Sequence, residues 1–175
     1  WGLELAKSIN PGARAASRSE LEEESWRVVE LARSAAVAIA VAGDPLIATT
    51  HASLLVEAAR RGVEVRVVPG VSGPCAAMSM SGLQFYRFGA VATVPGPWRG
   101  AKAYHTVMTL LSNLCSNLHT LLLLDVSLGG EILGPAAAMM SLRDSLAEAL
   151  GSPEPLDGLL ALYVEAREAG ALAYG

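Results

Sequence analysis

The sequence predicts an α/β fold in which short apolar strands alternate with amphipathic helices. Apolar runs such as residues 37–41 and 63–68 each end in a glycine-containing turn, and helical spacing of apolar residues follows each turn. Strands that alternate with helices form mostly parallel sheets. The alternation of strand and helix patterns is interrupted near residues 85–89, where aromatic and proline-containing segments occur. We therefore predict two small α/β domains, residues 1–86 and 87–175.

The first domain contains a repeated order of strand, loop and helix. Ser19 with Glu22 three residues later is a capping-box pattern that marks a helix start. The run at 37–41 is too short for a buried helix and reads as a buried parallel strand. The predicted elements are a helix at 20–34, a strand at 37–41, a helix at 50–61, a strand at 63–68 and a helix at 74–81.

The second domain alternates again and forms a further small α/β unit. Its predicted elements are a strand at 90–94, a helix at 104–117, a strand at 119–126, a helix at 136–150 and a strand at 159–164.

Composition excludes several classes of protein. The chain has 175 residues, 52% of them hydrophobic and 17% charged, which excludes disorder. A net charge of −4 with scattered basic residues argues against nucleic-acid binding. The apolar runs at 35–42 and 121–124 are far shorter than the roughly 20 residues of a membrane span. The first residues lack a secretory signal, so we expect a soluble cytoplasmic protein.

The cysteines and histidines do not suggest a metal site. The two cysteines form no C-x-x-C pair, and the three histidines lack metal-ligand spacing. We expect buried free thiols and no metal. These residues are Cys75, Cys115, His51, His105 and His119.

Two loops are candidate ligand sites. Parallel strands joined by crossover helices place successive loops at one sheet edge, where ligands of open sheets bind. Asp44, in a Gly-Asp-Pro turn, and Ser72, in the loop at 69–73, should therefore lie close together. Pro74 stands where the nucleophile elbow needs glycine, and no phosphate-binding motif is present.

A carboxylate beside glycines suits a ligand with donors or positive charge. Ribose hydroxyls, an ammonium and a sulfonium all qualify, and S-adenosylmethionine carries all three. The alternative is that Asp44 caps the following helix and Ser72 satisfies a turn. The residues alone leave these two interpretations about equally supported.

Three segments resemble the archaeal diphthine synthases, within the tetrapyrrole methylase-like superfamily of methyltransferases. They are GDPLIATTHASLLVEAARRGVEVRVVPGVSG, SGLQFYRFG and LHTLLLLDV. The resemblance implies repeated methyl transfer from S-adenosylmethionine to the amino group of a modified histidine on translation elongation factor 2, with S-adenosylhomocysteine as product. It also implies a cofactor cleft between two α/β domains, and a homodimer.

The resemblance also implies a set of cofactor contacts. Asp44 would bind sugar or amino donors, and the loop at 69–73 would supply polar contacts. Leu3 would be the remnant of a Gly-x-Gly-Leu turn with which the family begins. The implied cofactor contacts are Leu3, Asp44, Ile47, Ser72, Gly73, Leu124 and Ala166.

The chain departs from the family at both ends, so we expect both domains to be incomplete. Alternative interpretations are a methylase acting on a corrin or sirohaem precursor, a non-catalytic S-adenosylmethionine-binding relative, and loops that bind nothing. No residue is assigned as an essential acid or base. Asp125 is a candidate for holding the acceptor amine or a cap at a strand end, and His51 and Tyr104 could face substrate or fill structural roles.

Overall fold

The computed structural model describes residues 2–127, 129–166 and 172–174. The chain has a mixed α/β fold and separates into two compact units, Trp1–Cys75 and Ala76–Gly175. The predicted division into domains 1–86 and 87–175 is not tested by these units and stays a prediction. Each unit is described by itself below.

The described residues of the first unit form helices joined by irregular segments. Ser17 caps α2: its hydroxyl accepts the Glu20 amide at 3.1 Å, and the Glu20 carboxylate accepts the Ser17 amide at 2.8 Å. The helices of this unit are α1 (Gly2–Ile9), α2 (Arg18–Glu22), α3 (Ser25–Ala32) and α4 (Ala52–Arg60).

Two predictions for this unit are wrong in detail. The single helix at 20–34 is two helices, because the backbone leaves the helical conformation at Glu24, where φ is −111° and ψ is 23°. The capping box also lies two residues earlier than predicted, on Ser17 and Glu20. The capping box forms at Ser17 because its backbone is extended and a glutamate stands at the third helical position, as this motif requires.

The predicted strands at 37–41 and 63–68 do not form hydrogen-bonded ladders within the described residues. A strand needs a neighbour for its backbone amides and carbonyls, and sequence pattern supplies only the propensity. The side chains of these segments are correspondingly open, with Val37 at 42% and Val65 at 47% exposure.

The core of the first unit is the contact between α3 and α4. Val29 on α3 and Leu54 and Ala58 on α4 are buried. Trp26 lies at the rim, with the guanidinium carbons of Arg27 and Arg61 at 5.3 and 6.0 Å from its ring centroid.

The helix α5 (Gly73–Met80) spans the point at which the chain divides. In the second unit, β1 (Ala92–Val94) pairs in parallel with β2 (Leu122–Leu124), and α6 (Tyr104–Cys115) connects the two strands. The predicted helices at 104–117 and 136–150 are confirmed by α6 and by α7 (Pro135–Leu150).

The second unit has one apolar core, formed where α6 and α7 pack on β1. Leu142 and Leu146 stand one helical turn apart on α7, and both are buried. Val107 and Leu110 meet them from α6. The buried members of this core are Val94, Ala103, Val107, Leu110, Leu133, Ala138, Leu142, Leu146 and Leu156.

The last strand of the prediction is only partly right. The structure places β3 at Val164–Ala166, paired antiparallel with β4 (Leu172–Tyr174), whereas residues 159–163 form no strand. Within the described residues, no helix is long and apolar enough to cross a membrane.

Candidate functional site

The Gly-Asp-Pro turn is organised by its own carboxylate. Asp44 Oδ1 accepts the backbone amides of Leu46 at 2.9 Å and Ile47 at 3.1 Å. Gly43 precedes it with φ +84°, a conformation that L side chains rarely adopt. These amides, with that of Gly70, hold the pKa of Asp44 below its usual range, because hydrogen bonds favour the charged carboxylate.

The same carboxylate joins the two predicted loops. The Gly70 amide donates to Asp44 Oδ2 at 3.1 Å. The backbones approach so closely that a methyl group at Gly70 would lie 2.1 Å from the Gly43 carbonyl oxygen. The structure therefore brings the Asp44 turn against the loop that carries Ser72, as the strand-loop-helix order predicts.

Backbone strain follows the turn. Ala48 has φ +55°, although it carries a side chain that disfavours the left-handed region. His51, three residues on, places Nδ1 3.1 Å from the Pro45 carbonyl oxygen. His51 therefore closes this loop rather than presenting both ring nitrogens to a ligand.

Ser72 has a structural role. It is buried, and its hydroxyl oxygen accepts the Cys75 amide at 3.1 Å. This is the N-cap bond of α5, whose first residue is the exposed Gly73. The sequence analysis offered a turn as the structural role of Ser72, and the structure shows a helix cap instead. The hydroxyl hydrogen of Ser72 is still a possible donor, so its role as a cofactor contact stays a prediction.

The other predicted contact residues lie in varied settings. Ile47 is exposed next to Asp44, and Leu124 is the half-buried last residue of β2 in the second unit. Ala166 is the last residue of β3. Leu3 lies within α1, so its interpretation as a turn remnant is wrong: Gly2–Ile9 forms a continuous helix.

Asp125 is a fully bonded carboxylate at the end of β2. Its oxygens accept the Gly96 amide at 3.1 Å, Trp98 Nε1 at 2.9 Å and the Val126 amide at 2.9 Å. Arg99 adds Nε to Oδ2 at 2.8 Å and Nη2 to Oδ1 at 3.0 Å. The Arg99 guanidinium lowers the pKa of Asp125 far below its usual range. Asp125 therefore holds the loop after β1, and its role as a ligand for an acceptor amine is not supported.

Tyr104 is also engaged. Its hydroxyl hydrogen-bonds the Glu148 carboxylate, which raises the pKa of Tyr104. Glu148 also pairs with Lys102 Nζ at 3.0 Å. The structural interpretation of Tyr104 is the one that these contacts support.

The sequence analysis missed a pocket of about 320 Å³ in the second unit. It lies at the carboxyl edge of the parallel pair β1 and β2, where α/β sheets bind ligands. The available signal was an arginine in a proline- and glycine-containing loop directly after a strand. The polar residues that line the pocket are Thr93, Arg99, Lys102, His105, Thr106 and Asp125.

The thiols differ from the prediction. Cys75 and Cys115 are free, as predicted, but both are exposed. Each lies on a helix surface rather than in an apolar core, so their apolar neighbours in sequence were a poor guide. Among the residues that the structure describes, no three His, Cys, Asp or Glu side chains are grouped so that they could hold a metal ion.

The parallel strand pair with its connecting helix defines the chain as a mixed α/β protein, and one carboxylate joins two of its loops. Comparison with known families is more specific. The family described as Tetrapyrrole (Corrin/Porphyrin) Methylases matches residues 4–154. The chain belongs to this family.

Similar proteins carry one recurring name. A diphthine synthase of Aeropyrum pernix is 45% identical over 158 residues, covering 89% of this chain and 54% of that protein. One of Methanopyrus kandleri is 40% identical over 167 residues, covering 95% of this chain and 62% of that protein. The chain thus spans little more than half the length of these relatives.

Solved structures give the same picture. A conserved hypothetical protein of Aeropyrum pernix K1 superposes with a TM-score of 0.86 at 40% identity, covering 99% of this chain and 63% of that one. A crystal structure of diphthine synthase superposes with a TM-score of 0.81 at 31% identity, covering 99% and 64%. The predicted family resemblance is confirmed.

Proposed function

We propose that the chain is part of a diphthine synthase, an S-adenosylmethionine-dependent methyltransferase that acts on the amino group of a modified histidine of translation elongation factor 2. The observation that carries this proposal is the Asp44 carboxylate, which joins two glycine-containing loops at the start of α4. The resemblance to the diphthine synthases supplies the acceptor. A protein acceptor of this kind also favours a cytoplasmic enzyme, and the family resemblance favours a homodimer.

The residues around Asp44 fit the cofactor. The carboxylate is ionised, and three amides occupy three of its roughly four acceptor positions. It is only half-buried, so one acceptor position remains for a ribose hydroxyl or an ammonium. Ile47 beside it offers an exposed apolar side chain.

Further cofactor contacts are proposed from the resemblance. Gly73 would permit close approach of the ligand, and Ser72 would add the hydroxyl hydrogen that its capping bond leaves free. Leu124 and Ala166 would be two further contacts, as the resemblance implies. Leu3 also stays a proposed cofactor contact. Its place within a helix means that the proposal no longer rests on a Gly-x-Gly-Leu turn.

The chain's contribution to the reaction is alignment. When bound, S-adenosylmethionine supplies a methyl group on a sulfonium, which an amine can attack without a metal or covalent enzyme intermediate. Holding the two reacting atoms in line and excluding water can supply about 7–11 kcal/mol of the barrier. We therefore assign no general acid or base, and Asp125 is excluded from that role by its saturated hydrogen bonding.

The first experiment is a calorimetric titration of the chain with S-adenosylhomocysteine. At 100 times the dissociation constant, the ligand should raise the free energy of unfolding by about 2.7 kcal/mol. Asp44→Asn should weaken binding, while the exposed Asp157→Asn should leave it unchanged. Binding that is equal in both variants would show that Asp44 only organises its turn.

The second experiment identifies the acceptor. Labelled S-adenosylmethionine is supplied with elongation factor 2 bearing the modified histidine, or with a sirohaem precursor. Label in the elongation factor is expected. Label in the porphyrinoid alone would instead favour a tetrapyrrole methyltransferase, and cofactor binding with no labelled product would favour a non-catalytic relative.

A further inference from the structure

Residues 44–51, here called the Asp44 segment, form neither helix nor strand. Their shape rests on bonds inside the segment: two of its amides donate to the Asp44 carboxylate, and His51 Nδ1 lies 3.1 Å from the Pro45 carbonyl oxygen. These bonds bend the segment but do not attach it to another element. Its position in the first unit must therefore be set by other contacts.

Side-chain hydrogen bonds attach both ends of the Asp44 segment to elements that are distant in sequence. At its start, the Gly70 amide donates to Asp44 Oδ2 at 3.1 Å. Near its end, the Thr50 hydroxyl donates to Glu22 Oε1 at 2.5 Å, across 28 residues of sequence. The segment is therefore held at one end by the loop at 69–73 and at the other by the last residue of α2.

The Glu22 carboxylate is prepared to accept the Thr50 hydroxyl. Arg18, one turn earlier on α2, donates Nε to the same oxygen at 2.7 Å and so fixes the orientation of the carboxylate. The Glu22 side chain is only 29% exposed. The hydrogen bond from Thr50, followed by that from Arg18, holds the pKa of Glu22 below its usual range. Glu22 is therefore ionised at neutral pH, and an ionised acceptor forms the stronger kind of hydrogen bond.

Backbone strain makes the attachment at Thr50 important for the rest of the segment. Ala48 lies between the two attached ends with φ +55°, and a residue with a side chain keeps this conformation only where its surroundings enforce it. Ile47, the residue before it, donates its amide to Asp44 Oδ1 at 3.1 Å. Without the Thr50 bond the backbone at Ala48 could relax, and the change would reach Ile47 and the Asp44 carboxylate.

We propose that Glu22 is a positioning residue, which acts through the Thr50 hydroxyl to hold the Asp44 segment in the arrangement that binds the cofactor. Glu22 itself touches no ligand. The inference rests on the proposed function, because it concerns the same cofactor site. Thr50 is exposed, so water competes for its hydroxyl and the bond adds little to global stability. The effect of Glu22 should therefore appear in the order of the segment and in ligand affinity.

The first measurement follows the Asp44 segment without any ligand. The amides of Leu46, Ile47 and Gly70 all donate to Asp44, so their solvent-exchange rates in NMR spectra report how firmly the turn is held. Thr50→Val removes the hydroxyl at nearly constant shape. It should speed the exchange of these amides about fivefold, through the loss of one hydrogen bond. Wild-type rates in Thr50→Val would overturn the inference.

Two threonine variants are the controls for this measurement. Thr50→Ser keeps the hydroxyl and should keep the wild-type rates. Thr109→Val removes a hydroxyl that bonds its own helix, at the His105 carbonyl 2.9 Å away, and should leave the Asp44 segment unchanged. If Thr50→Ser exchanges as fast as Thr50→Val, the hydroxyl bond to Glu22 does not hold the segment, and the inference is wrong.

The second measurement is the affinity for S-adenosylhomocysteine by calorimetry. Thr50→Val and Glu22→Ala should each weaken binding about fivefold, while Thr50→Ser should bind as the wild type does. Because Glu22 acts through Thr50, the double variant should bind no more weakly than either single variant. Losses that add in the double variant, or a wild-type affinity in Glu22→Ala, would overturn the inference.

The inference and the proposed function fail separately. If the wild type binds S-adenosylhomocysteine and Thr50→Val keeps wild-type exchange rates, the cofactor site stands and the role of Glu22 is wrong. If the wild type binds no S-adenosylhomocysteine and Thr50→Val exchanges faster, Glu22 does position the turn and the proposed function is wrong.

Discussion

The guanidinium of Arg99 and the carboxylate of Asp125 form a two-bond fork at the ends of two parallel strands. Nε lies 2.8 Å from Oδ2, and Nη2 lies 3.0 Å from Oδ1. Asp125 directly follows β2, and Arg99 ends the 3₁₀ turn at Pro97–Arg99 that follows β1. The fork therefore fixes the loop that carries both the indole of Trp98 and the pocket's arginine.

Replacing this carboxylate should destabilise the second unit. Asp125→Asn removes the charge that faces Arg99 and turns one acceptor into a donor that faces other donors. Only the carboxylate is buried, because the Arg99 side chain is 45% exposed and solvent screens its charge. The expected loss is therefore about 1–3 kcal/mol, mainly from buried hydrogen-bonding groups left without a partner. Asp157→Asn is the control, because its pair with Arg143 is exposed and should contribute less than about 1 kcal/mol. Urea unfolding of both variants measures the difference, and equal losses would contradict the assignment.

Acid should act through the same residue. The pKa of Asp125 is lower in the folded state, so the native protein binds fewer protons than the unfolded chain as pH falls. Its contribution to stability is complete above the unfolded pKa of about 3.9 and is lost as pH falls below it toward the native pKa. The difference in unfolding free energy between wild type and Asp125→Asn should therefore be smaller at about pH 3 than at about pH 6. A constant difference would argue against an ionised Asp125.

The contact between the two loops of the first unit should be intolerant of a side chain. Gly70→Ala places a methyl 2.1 Å from the Gly43 carbonyl oxygen, which forces the backbones apart. We expect a loss of about 1–3 kcal/mol by thermal unfolding and weaker S-adenosylhomocysteine binding. Gly73→Ala is the control for stability, because a methyl there meets no atom within 4 Å. A wild-type unfolding curve for Gly70→Ala would contradict this geometry.

Substitution of Ser17 and of Ser19 tests whether α2 begins where the structure places it or where the sequence predicted it. Ser17→Ala removes the cap of α2 and should cost about 1 kcal/mol. Ser19→Ala loses only an exposed 3.1 Å bond to Glu23 and should cost a few tenths of that. Parallel urea titrations decide between them, and a larger loss for Ser19 would restore the predicted start.

The sequence predicted the elements whose signals are local. The helices α6 and α7 carry apolar faces at helical spacing, and α7 ends at Gly151, which has φ +79°. The strands at 37–41 and 63–68 were wrong because a ladder needs a neighbouring strand, which propensity cannot provide. Local spacing likewise could not decide between two serines that both precede glutamates.

The sequence predicted one contact of the candidate site correctly. The predicted order of strand, loop and helix places Asp44 near the loop at 69–73, and the bond to Gly70 confirms that contact although neither strand forms a ladder in the described residues. The partners of Asp125 could not be predicted, because Arg99 is 26 residues away and meets it only when β1 pairs with β2. Long-range pairing of this kind leaves no periodic trace in a sequence.

Ala48 stores strain next to the proposed cofactor turn, and its replacement should release that strain. Its φ of +55° lies in the left-handed region, which costs an L-residue roughly 1–2 kcal/mol and glycine much less. Ala48→Gly should therefore stabilise the chain by up to about 1 kcal/mol, despite the added freedom of the unfolded chain. Ala52→Gly deletes the same methyl in the first turn of α4, where the backbone is right-handed, and should destabilise by about 0.5–1 kcal/mol. Opposite signs in thermal unfolding are the expected result. A loss of stability in both variants would show that the left-handed turn is not strained.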